Sequence, residues 1–305
     1  MKIVAVTGFY DIGRAGYDNR TPEKYIGWLN QTLQIPLPFL VFLDPGFDAS
    51  GIVLKAEDRI IRVPRSDLTM FGHGEKIREI VADSQTVNRR DISFNVPEYG
   101  MIVMSKLDLM KRASKETDAD FLLWADAGVC RFIPDLGDGK LKVTKADLEG
   151  MNFGLSTTLH LAQRTRIGKF PRRMVGRTLA MMSAEDFIVA RSFAQELSDR
   201  MDFLVQEEWL PAGLWDNEQV AIGTLLFRGA LPGTRIIQTH VGGGANTLRW
   251  LFGAEPYGRK PPLYVRWRIL LDEFRTRQAP KDQCYLPGDF PEAEFQSWVQ
   301  SRATT

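Results

Sequence analysis

The opening stretch of the chain carries the pattern that most constrains its fold: a strand, a helix and a second strand within about 45 residues. Residues 3–6 are a β-prone apolar run that stops close to a glycine, as a buried parallel strand does. Thr21 and Pro22 supply the capping hydroxyl and the first-turn proline of a helix that extends to about residue 33. Residues 39–43 form the second apolar run. This βαβ unit predicts a parallel sheet with a right-handed crossover.

The rest of the chain continues to alternate between strand-like and helix-like segments. We expect further strands at residues 59–63, 121–124, 152–156, 178–182 and 235–239, and helices at residues 74–83, 97–115 and 216–227. Ser183, with Asp186 three residues on, approximates a capping box and predicts a helix that begins there. The predicted fold class is therefore α/β, with a mostly parallel, Rossmann-like central sheet flanked by helices.

Composition narrows the class of protein. The length of 305 residues suits one large domain with an extension, or two small domains. The 39 lysines and arginines nearly cancel the 38 acids, so we expect no nucleic-acid partner. Cys130 and Cys284 are too few for a disulfide framework. We see neither a signal peptide nor a run of about 20 apolar residues, and we expect a cytoplasmic protein.

Three strand ends carry polar residues, at the edge where open α/β sheets bind ligands. The first is residues 7–14, where glycines admit a ligand to the backbone, aromatic rings can stack on a base and an arginine can bind phosphate. An ordinary βα loop is the alternative interpretation. The candidates for nucleotide binding here are Thr7, Gly8, Phe9, Tyr10 and Arg14.

Asp126 stands at the second strand end, directly after an apolar run that closes with Trp124. A carboxylate fixed there can hold a divalent cation that neutralises a diphosphate. The alternative is a simple turn at Asp126-Ala127-Gly128.

The third region has two parts. A polar run, Asp216 to Gln219, opens a predicted helix; its acids are either functional or only complements of the helix dipole. His240 follows the last predicted strand and precedes three glycines. That loop can wrap a metal-bound phosphate, although a histidine at a strand end is often a structural hydrogen-bond donor.

Several well-known catalytic motifs are missing from the sequence. We find no Gly-x-Ser-x-Gly elbow, no Walker-type phosphate loop and no Gly-x-Gly-x-x-Gly loop. The three histidines and two cysteines show no zinc-ligand spacing. These absences argue against hydrolase, NTPase, NAD-enzyme and structural-zinc interpretations.

The ordered set of motifs resembles the bacterial HtrL/YibB-type family over roughly the first 250 residues. The resemblance is carried by the Thr-Gly-Phe-Tyr-Asp-Ile-Gly-Arg stretch at residues 7–14, by Glu98-Tyr99 with Ser105-Lys106, and by Trp-Ala-Asp-Ala-Gly at residues 124–128. It implies a GT-A-like glycosyltransferase that uses a nucleotide-sugar donor.

The resemblance also implies a donor site. Asp126 would contact the ribose and a Mn²⁺ or Mg²⁺ ion bound to the diphosphate, with Gly128 where a second acid normally stands. His240 would be the other metal ligand, and Arg249 would stabilise the leaving diphosphate in part replacement of that acid. Further donor-site residues would be Lys106, Trp124, Gly242 and Gly243.

On the acceptor side the resemblance points to Asp216, Glu218 and Gln219. In an inverting enzyme one carboxylate would act as general base on the acceptor hydroxyl, with Asp216 preferred and Glu218 next. In a retaining enzyme the same region would stabilise the positively charged sugar.

The leading hypothesis is a transferase of a sugar, most simply from a UDP-sugar, to a glycan or lipid-linked precursor of the cell surface. Residues 1–247 would form the GT-A-like domain, and residues 248–305 a basic, aromatic, helical extension. That extension either contacts the inner face of the membrane peripherally or packs as a surface helix. The alternatives are an inactive GT-A-like scaffold and a phosphoryl-handling enzyme that uses Asp126.

Overall fold

The computed structural model of the protein describes residues 1–83, 92–133, 136–157, 182–237, 239, 244–254 and 289–303. In this part of the chain one sheet contains seven strands. They are β1 (Ile3–Phe9), β2 (Phe39–Leu43), β3 (Arg59–Arg62), β4 (Phe121–Ala125), β5 (Phe153–Thr157), β6 (Met182–Ala190) and β7 (Thr234–Ile236). Their order across the sheet is β3-β2-β1-β4-β6-β5-β7.

Strand direction decides where the functional edge lies. β1 pairs in parallel with β2 and β4, β2 with β3, and β5 with β7. β6 runs antiparallel to both of its neighbours, β4 and β5. The carboxyl ends of β1, β2 and β4 therefore meet at one edge of the sheet. The predicted α/β class, with a mostly parallel central sheet, is confirmed.

Helices flank this sheet. In the described residues they are α1 (Ala15–Asp18), α2 (Pro22–Thr32), α3 (Gly74–Asp83), α4 (Ile92–Asn95), α5 (Pro97–Met104), α6 (Lys106–Glu116), α7 (Ala194–Phe203), α8 (Glu218–Phe227), α9 (Asn246–Leu251) and α10 (Glu292–Ala303). A π-helical turn, Leu204–Trp209, continues α7. Thr21 caps α2 as predicted, because its side chain accepts a hydrogen bond from the backbone N–H of Lys24.

The core lies on both faces of the sheet, and this explains the continuous apolar runs. Val4 and Trp124 belong to one buried cluster, whereas Ala5 and Leu123 belong to the cluster on the opposite face. Successive residues of a strand point to opposite faces. A strand covered on both sides therefore needs apolar residues at nearly every position.

The single helix predicted over residues 97–115 is wrong, because the chain breaks it at Ser105 into α5 and α6. The Ser105 hydroxyl donates to the carbonyl of Met101 at 2.8 Å. A serine that bonds back to the preceding turn in this way bends helices. The break makes Lys106 the first residue of α6, where its side chain is buried.

The helix predicted to begin at Ser183 is also wrong. Ser183 and Asp186 lie inside β6, a strand of nine residues. Residues 187–189 are apolar and pair with β4, and this sheet pairing outweighs the local capping pattern. The strand predicted at residues 178–182 falls on residues 178–181, which lie outside the described part of the chain, and on Met182, which begins β6.

The C-terminal boundary predicted after residue 247 falls within α9. Leu248 and Leu251 of this helix are buried in the core cluster that contains Ala5. Phe295 of α10 is buried and packs its ring 5.7 Å from the ring of Phe203 in α7. Most of the basic, aromatic stretch, residues 255–288, lies outside the described residues. In the part that is described, no helix combines the length and apolar character that crossing a bilayer requires.

Candidate functional site

A pocket lies at the edge of the sheet where β1 and β4 end. Its wall combines residues from β1, the loop after it, the start of α2, α5, α6 and the loop after β4. Of the described residues, four cationic side chains line it, Arg14, Arg20, Lys106 and Arg131, together with the carboxylates of Asp11 and Asp126. Five described aromatic residues also line it: Phe9, Tyr10, Tyr25, Tyr99 and Trp124. The pocket thus brings together seven residues that the sequence singled out: Gly8, Phe9, Tyr10, Arg14, Lys106, Trp124 and Asp126.

Lys106 is the central polar group at the base of the pocket. Its residue surface is only 5% exposed. The ammonium donates to Glu218 Oε1, to the backbone oxygen of Ala184 and to Asp126 Oδ1, each at 2.8 Å. An ammonium has three N–H donors, so these three acceptors satisfy it completely. Lys106 therefore ties α6 to the end of β4, to β6 and to the start of α8.

Asp126 is positioned by its neighbours on both sides. Its backbone N–H donates to the carbonyl of Glu185 in β6 at 2.8 Å. The Trp124 indole Nε1 donates to Asp126 Oδ1 at 2.7 Å, so the same oxygen receives Trp124 and Lys106. The Asp126 side chain remains 33% exposed. Its Oδ2 is consequently the oxygen left to meet a ligand in the pocket.

Glycine at position 8 allows this close packing. A β-carbon placed there would stand 3.0 Å from Leu109 Cδ1 and 3.6 Å from Trp124 Cη2. The absence of a side chain lets α6 and the Trp124 ring approach the end of β1.

The acids around Lys106 determine its protonation state. Burial alone lowers the pKa of this ammonium, but the carboxylates of Asp126 and Glu218 outweigh burial and hold the pKa above its usual range. Lys106 is therefore charged at neutral pH. Burial also raises the pKa of the nearby Tyr99 phenol to about 12, with a further contribution from the Glu218 charge, so the phenol keeps its proton.

Arg14 is held from several sides. Its Nε and Nη2 atoms both lie 2.9 Å from Asp18 Oδ2, and its Nη1 donates to the Tyr25 hydroxyl at 2.8 Å. The guanidinium also lies 4.6 Å from the centre of the Tyr99 ring, within cation–π range. Burial pushes the pKa of Asp18 upwards, but its bond to Arg14 outweighs that effect and keeps the pKa below the usual range.

Arg131 and Arg20 present guanidinium groups that are less enclosed. Arg131 is exposed; its Nε donates to the carbonyl of Gly128 at 2.9 Å and its guanidinium lies 4.4 Å from the Trp28 ring centre. Arg20 Nε contacts Asp18 at 3.2 Å with 35% of its side chain exposed. Both groups retain N–H donors that can reach a ligand, because a guanidinium has five.

An aromatic cluster joins the end of β1 to α2. Phe9 and Tyr25 lie with ring centres 5.2 Å apart, and Phe9 also meets the edge of Phe47 at 5.0 Å. Tyr10, by contrast, is only 4% exposed and packs in the core cluster that contains Val4. Tyr25, which the sequence did not single out, is therefore better placed than Tyr10 to stack against a planar ligand.

The three acceptor-side candidates do not line the pocket. Asp216 is fully buried, and its Oδ1 accepts from the backbone N–H of Asn217 at 2.8 Å. Asn217 caps α8 by accepting from Gln219 and Val220, so this helix begins at Glu218 rather than at Asp216. Gln219 is half-buried. Glu218 is 4% exposed and reaches the pocket only through Lys106.

The remaining predicted donor residues lie elsewhere. Arg249 donates from Nε to the Gly244 carbonyl at 3.1 Å and from Nη2 to the Phe132 carbonyl, and it does not line the pocket. Thr7 is fully buried in β1. His240, Gly242 and Gly243 lie outside the described residues.

The described residues contain no arrangement that would hold the expected Mn²⁺ or Mg²⁺ ion, and His240, the second predicted ligand, lies outside them. No group of three or more histidine, cysteine or acidic side chains in this part of the chain is arranged to hold a metal ion. Asp126 and Glu218, the acids nearest the pocket floor, are both bonded to Lys106. Gly128 carries no ligand atom in its side chain.

The sequence did not predict Arg131 and Tyr25, which line the pocket, or Glu185, whose carbonyl accepts from the backbone N–H of Asp126. Arg131 lies three residues beyond Gly128, so following the loop after β4 further would have included it. Glu185 is half-buried; its pKa is raised by burial first and then by the charge of Asp126. Glu185 was hidden because the sequence pattern wrongly assigned its segment to a helix.

Comparison with known proteins gives weak likenesses to solved structures. No protein-family model matches the chain, and no curated protein matches it. Among solved structures, mouse xyloside xylosyltransferase 1 in its apo form is similar over 84% of this chain and 95% of its own, with 11% identity and a TM-score of 0.39. Mannosyl-3-phosphoglycerate synthase from Rubrobacter xylanophilus is similar over 92% of this chain and 77% of its own, with 14% identity and a TM-score of 0.32. At these values neither likeness assigns an activity to this chain.

Proposed function

We propose that the protein is a GT-A-like glycosyltransferase that transfers a sugar from a nucleotide donor, with UDP-sugars the first choice, to a hydroxyl of a cell-surface glycan precursor. The observation that carries the proposal is the pocket at the ends of β1 and β4, which joins aromatic rings, guanidinium groups and the carboxylate of Asp126. Ligands of open α/β sheets bind at this edge.

Each part of a nucleotide diphosphate has a matching group in this pocket. The base would stack near Phe9 and Tyr25, whose rings already lie in contact. The diphosphate would bind the guanidinium groups of Arg20 and Arg131, since planar guanidinium groups bind phosphate oxygens through paired hydrogen bonds. The exposed oxygen of Asp126 would accept from a hydroxyl of the ribose or the sugar.

A second candidate function is nucleotide-sugar binding without transfer. The observation that favours it is the burial of Asp216 and Glu218, because a general base must reach the acceptor hydroxyl. Glu218 is the nearer of the two acids, separated from the pocket by the Lys106 ammonium.

The first experiment is a thermal-shift panel of UDP, GDP, CMP and dTDP. A ligand that binds only the folded protein raises its melting temperature by mass action, and we expect a selective rise with one nucleotide. Asp126→Asn should reduce that rise. Asp118→Asn, which alters an acid whose side chain is 84% exposed and which does not line the pocket, should leave it unchanged. No rise with any nucleotide would overturn the proposal.

Transfer is tested separately by following nucleotide release from a set of UDP-sugars. Release that Asp126→Asn abolishes would support the transferase. Selective nucleotide binding without release from any donor, with or without a glycan acceptor, would support the binding protein.

We also propose, from the sequence resemblance, that the chain belongs to the HtrL/YibB-type family and acts in the cytoplasm on a glycan or lipid-linked acceptor. The motifs at residues 7–14 and 124–128 support this, because they form adjacent walls of one pocket. Expression of a tagged protein followed by cell fractionation tests the location: recovery with the cytoplasmic fraction is expected, and recovery with the periplasm would contradict it.

A further inference from the structure

Three oxygen atoms from separate parts of the fold surround the Lys106 ammonium. Asp126 Oδ1, Glu218 Oε1 and the Ala184 carbonyl oxygen each approach it at 2.8 Å. Carboxylate and carbonyl oxygens are also the ligands that hard divalent cations prefer. In this chain the Lys106 ammonium already donates hydrogen bonds to those three oxygens.

A second observation comes from the loop after β4. A β-carbon added at Gly128 would stand 3.0 Å from Arg131 Nη2 and 3.1 Å from Arg131 Nε. The Arg131 guanidinium thus takes the space into which a side chain at position 128 would project. It is held there by the Gly128 carbonyl and by the Trp28 ring. A positive group therefore occupies the place where a second metal-binding acid would stand.

The charge balance of the pocket points the same way. Among the described residues, four cationic side chains line it, and only Asp11 and Asp126 carry negative charge. A diphosphate brings charge that must be neutralised when it leaves water. Arg131 is exposed and Arg20 is partly exposed, so both can supply that neutralisation.

We propose that the donor diphosphate binds this protein without a divalent cation, because Lys106 occupies the cation position between Asp126 and Glu218, and Arg131 with Arg20 binds the phosphates. This inference rests on the proposed nucleotide-sugar function and goes beyond it, since it replaces the expected Mn²⁺ or Mg²⁺ with side chains of the chain itself. Lys106 is a positioning residue: it fixes Asp126 and Glu218 and does not touch the phosphates.

The test is calorimetric titration of the full chain with UDP, or with GDP, CMP or dTDP where the thermal-shift panel selects that nucleotide instead, once in EDTA and once in excess Mn²⁺. We expect dissociation constants within about twofold of each other in the two buffers. A tenfold or greater loss of affinity in EDTA would overturn the proposal while leaving nucleotide binding intact. Absence of binding in both buffers would instead overturn the proposed function, so the two failures are distinguishable.

Variants of Arg131 and Arg20 test which residues bind the phosphates. Arg131→Gln and Arg20→Gln should each weaken UDP at least tenfold in EDTA and weaken uridine much less, because uridine has no phosphate. The matched control is Arg59→Gln, which alters an arginine on β3 whose side chain is 56% exposed and paired with Glu116. Unchanged UDP affinity in both pocket variants, or an equal loss in the Arg59 control, would overturn the assignment of the phosphate-binding residues.

Discussion

Replacing Lys106 by methionine should destabilise the protein strongly, although the two side chains have similar length. The change removes three hydrogen bonds, two of them to carboxylates. Asp126 keeps its bond from Trp124 and is partly exposed, so water can solvate its charge. Glu218 is 4% exposed, and burial raises its pKa while the charge of Lys106 opposes that rise. Without Lys106 it must either stay ionised without a counter-ion or take up a proton, and both cost free energy. Removing one partner of a buried ion pair costs about 3–5 kcal/mol, and we expect a loss in that range at pH 7.5.

Urea denaturation followed by tryptophan fluorescence measures this loss. The matched control is Lys111→Met on the same helix, whose ion pair with Asp199 is only partly buried and should be worth about 1 kcal/mol or less. The double variant Lys106→Met with Glu218→Gln should recover much of the lost free energy of unfolding, because it also removes the buried acid that has lost its counter-ion. A loss no larger than that of Lys111→Met, or no recovery in the double variant, would refute the reasoning.

Two further predictions concern neighbours of this site. Asp186 is fully buried, and burial raises its pKa to about 7. Between about pH 4 and pH 7 this carboxyl is ionised in the unfolded chain but protonated in the folded protein. The free energy of unfolding therefore falls over that range, by as much as roughly 4 kcal/mol. Asp186→Asn should match the wild type near pH 4 and become the more stable protein above pH 7, as measured by urea denaturation across that range; a difference independent of pH would contradict this. Trp124→Phe removes the 2.7 Å bond to Asp126 and should cost about 1–3 kcal/mol of stability, measured in the same way, with a severalfold loss of UDP affinity by calorimetry; unchanged affinity would show that Asp126 does not need this bond.

The central strands could be predicted from the sequence because burial on both faces produces a run of apolar residues. β1, β2 and β4 are covered on both faces, so β2, β4 and residues 3–6 of β1 are continuous apolar runs. β6 could not be predicted in the same way. Its first half contains Ser183, Glu185 and Asp186, which match the start of a helix. Only pairing with β4 and β5, which are distant in sequence, makes this segment a strand.

Several residues of the site could be predicted from the sequence, but the ion pairs between them could not. Asp126 and the residues of the first loop could be placed at one edge, because β1 and β4 are parallel and their ends coincide. Lys106 and Glu218 are 112 residues apart in sequence, and nothing in a single sequence indicates that they form an ion pair. The pair depends on the break at Ser105 and on the start of α8 at Glu218, one residue beyond its cap.

These connections also determine how an anionic ligand can lie in the pocket. Lys106 pairs with two acids, and burial raises the pKa of Glu218 although the charge of Lys106 opposes that rise. Asp126 is the more exposed of the two acids, so its carboxylate is the one that meets a ligand at the pocket wall. A phosphate placed there would be repelled, whereas a hydroxyl would be accepted. For the proposed nucleotide donor we therefore expect the phosphates to bind at Arg20 and Arg131 and the hydroxyl-bearing part to bind at Asp126. On this proposal Lys106 sets the orientation of the ligand by fixing Asp126, without contacting the phosphates.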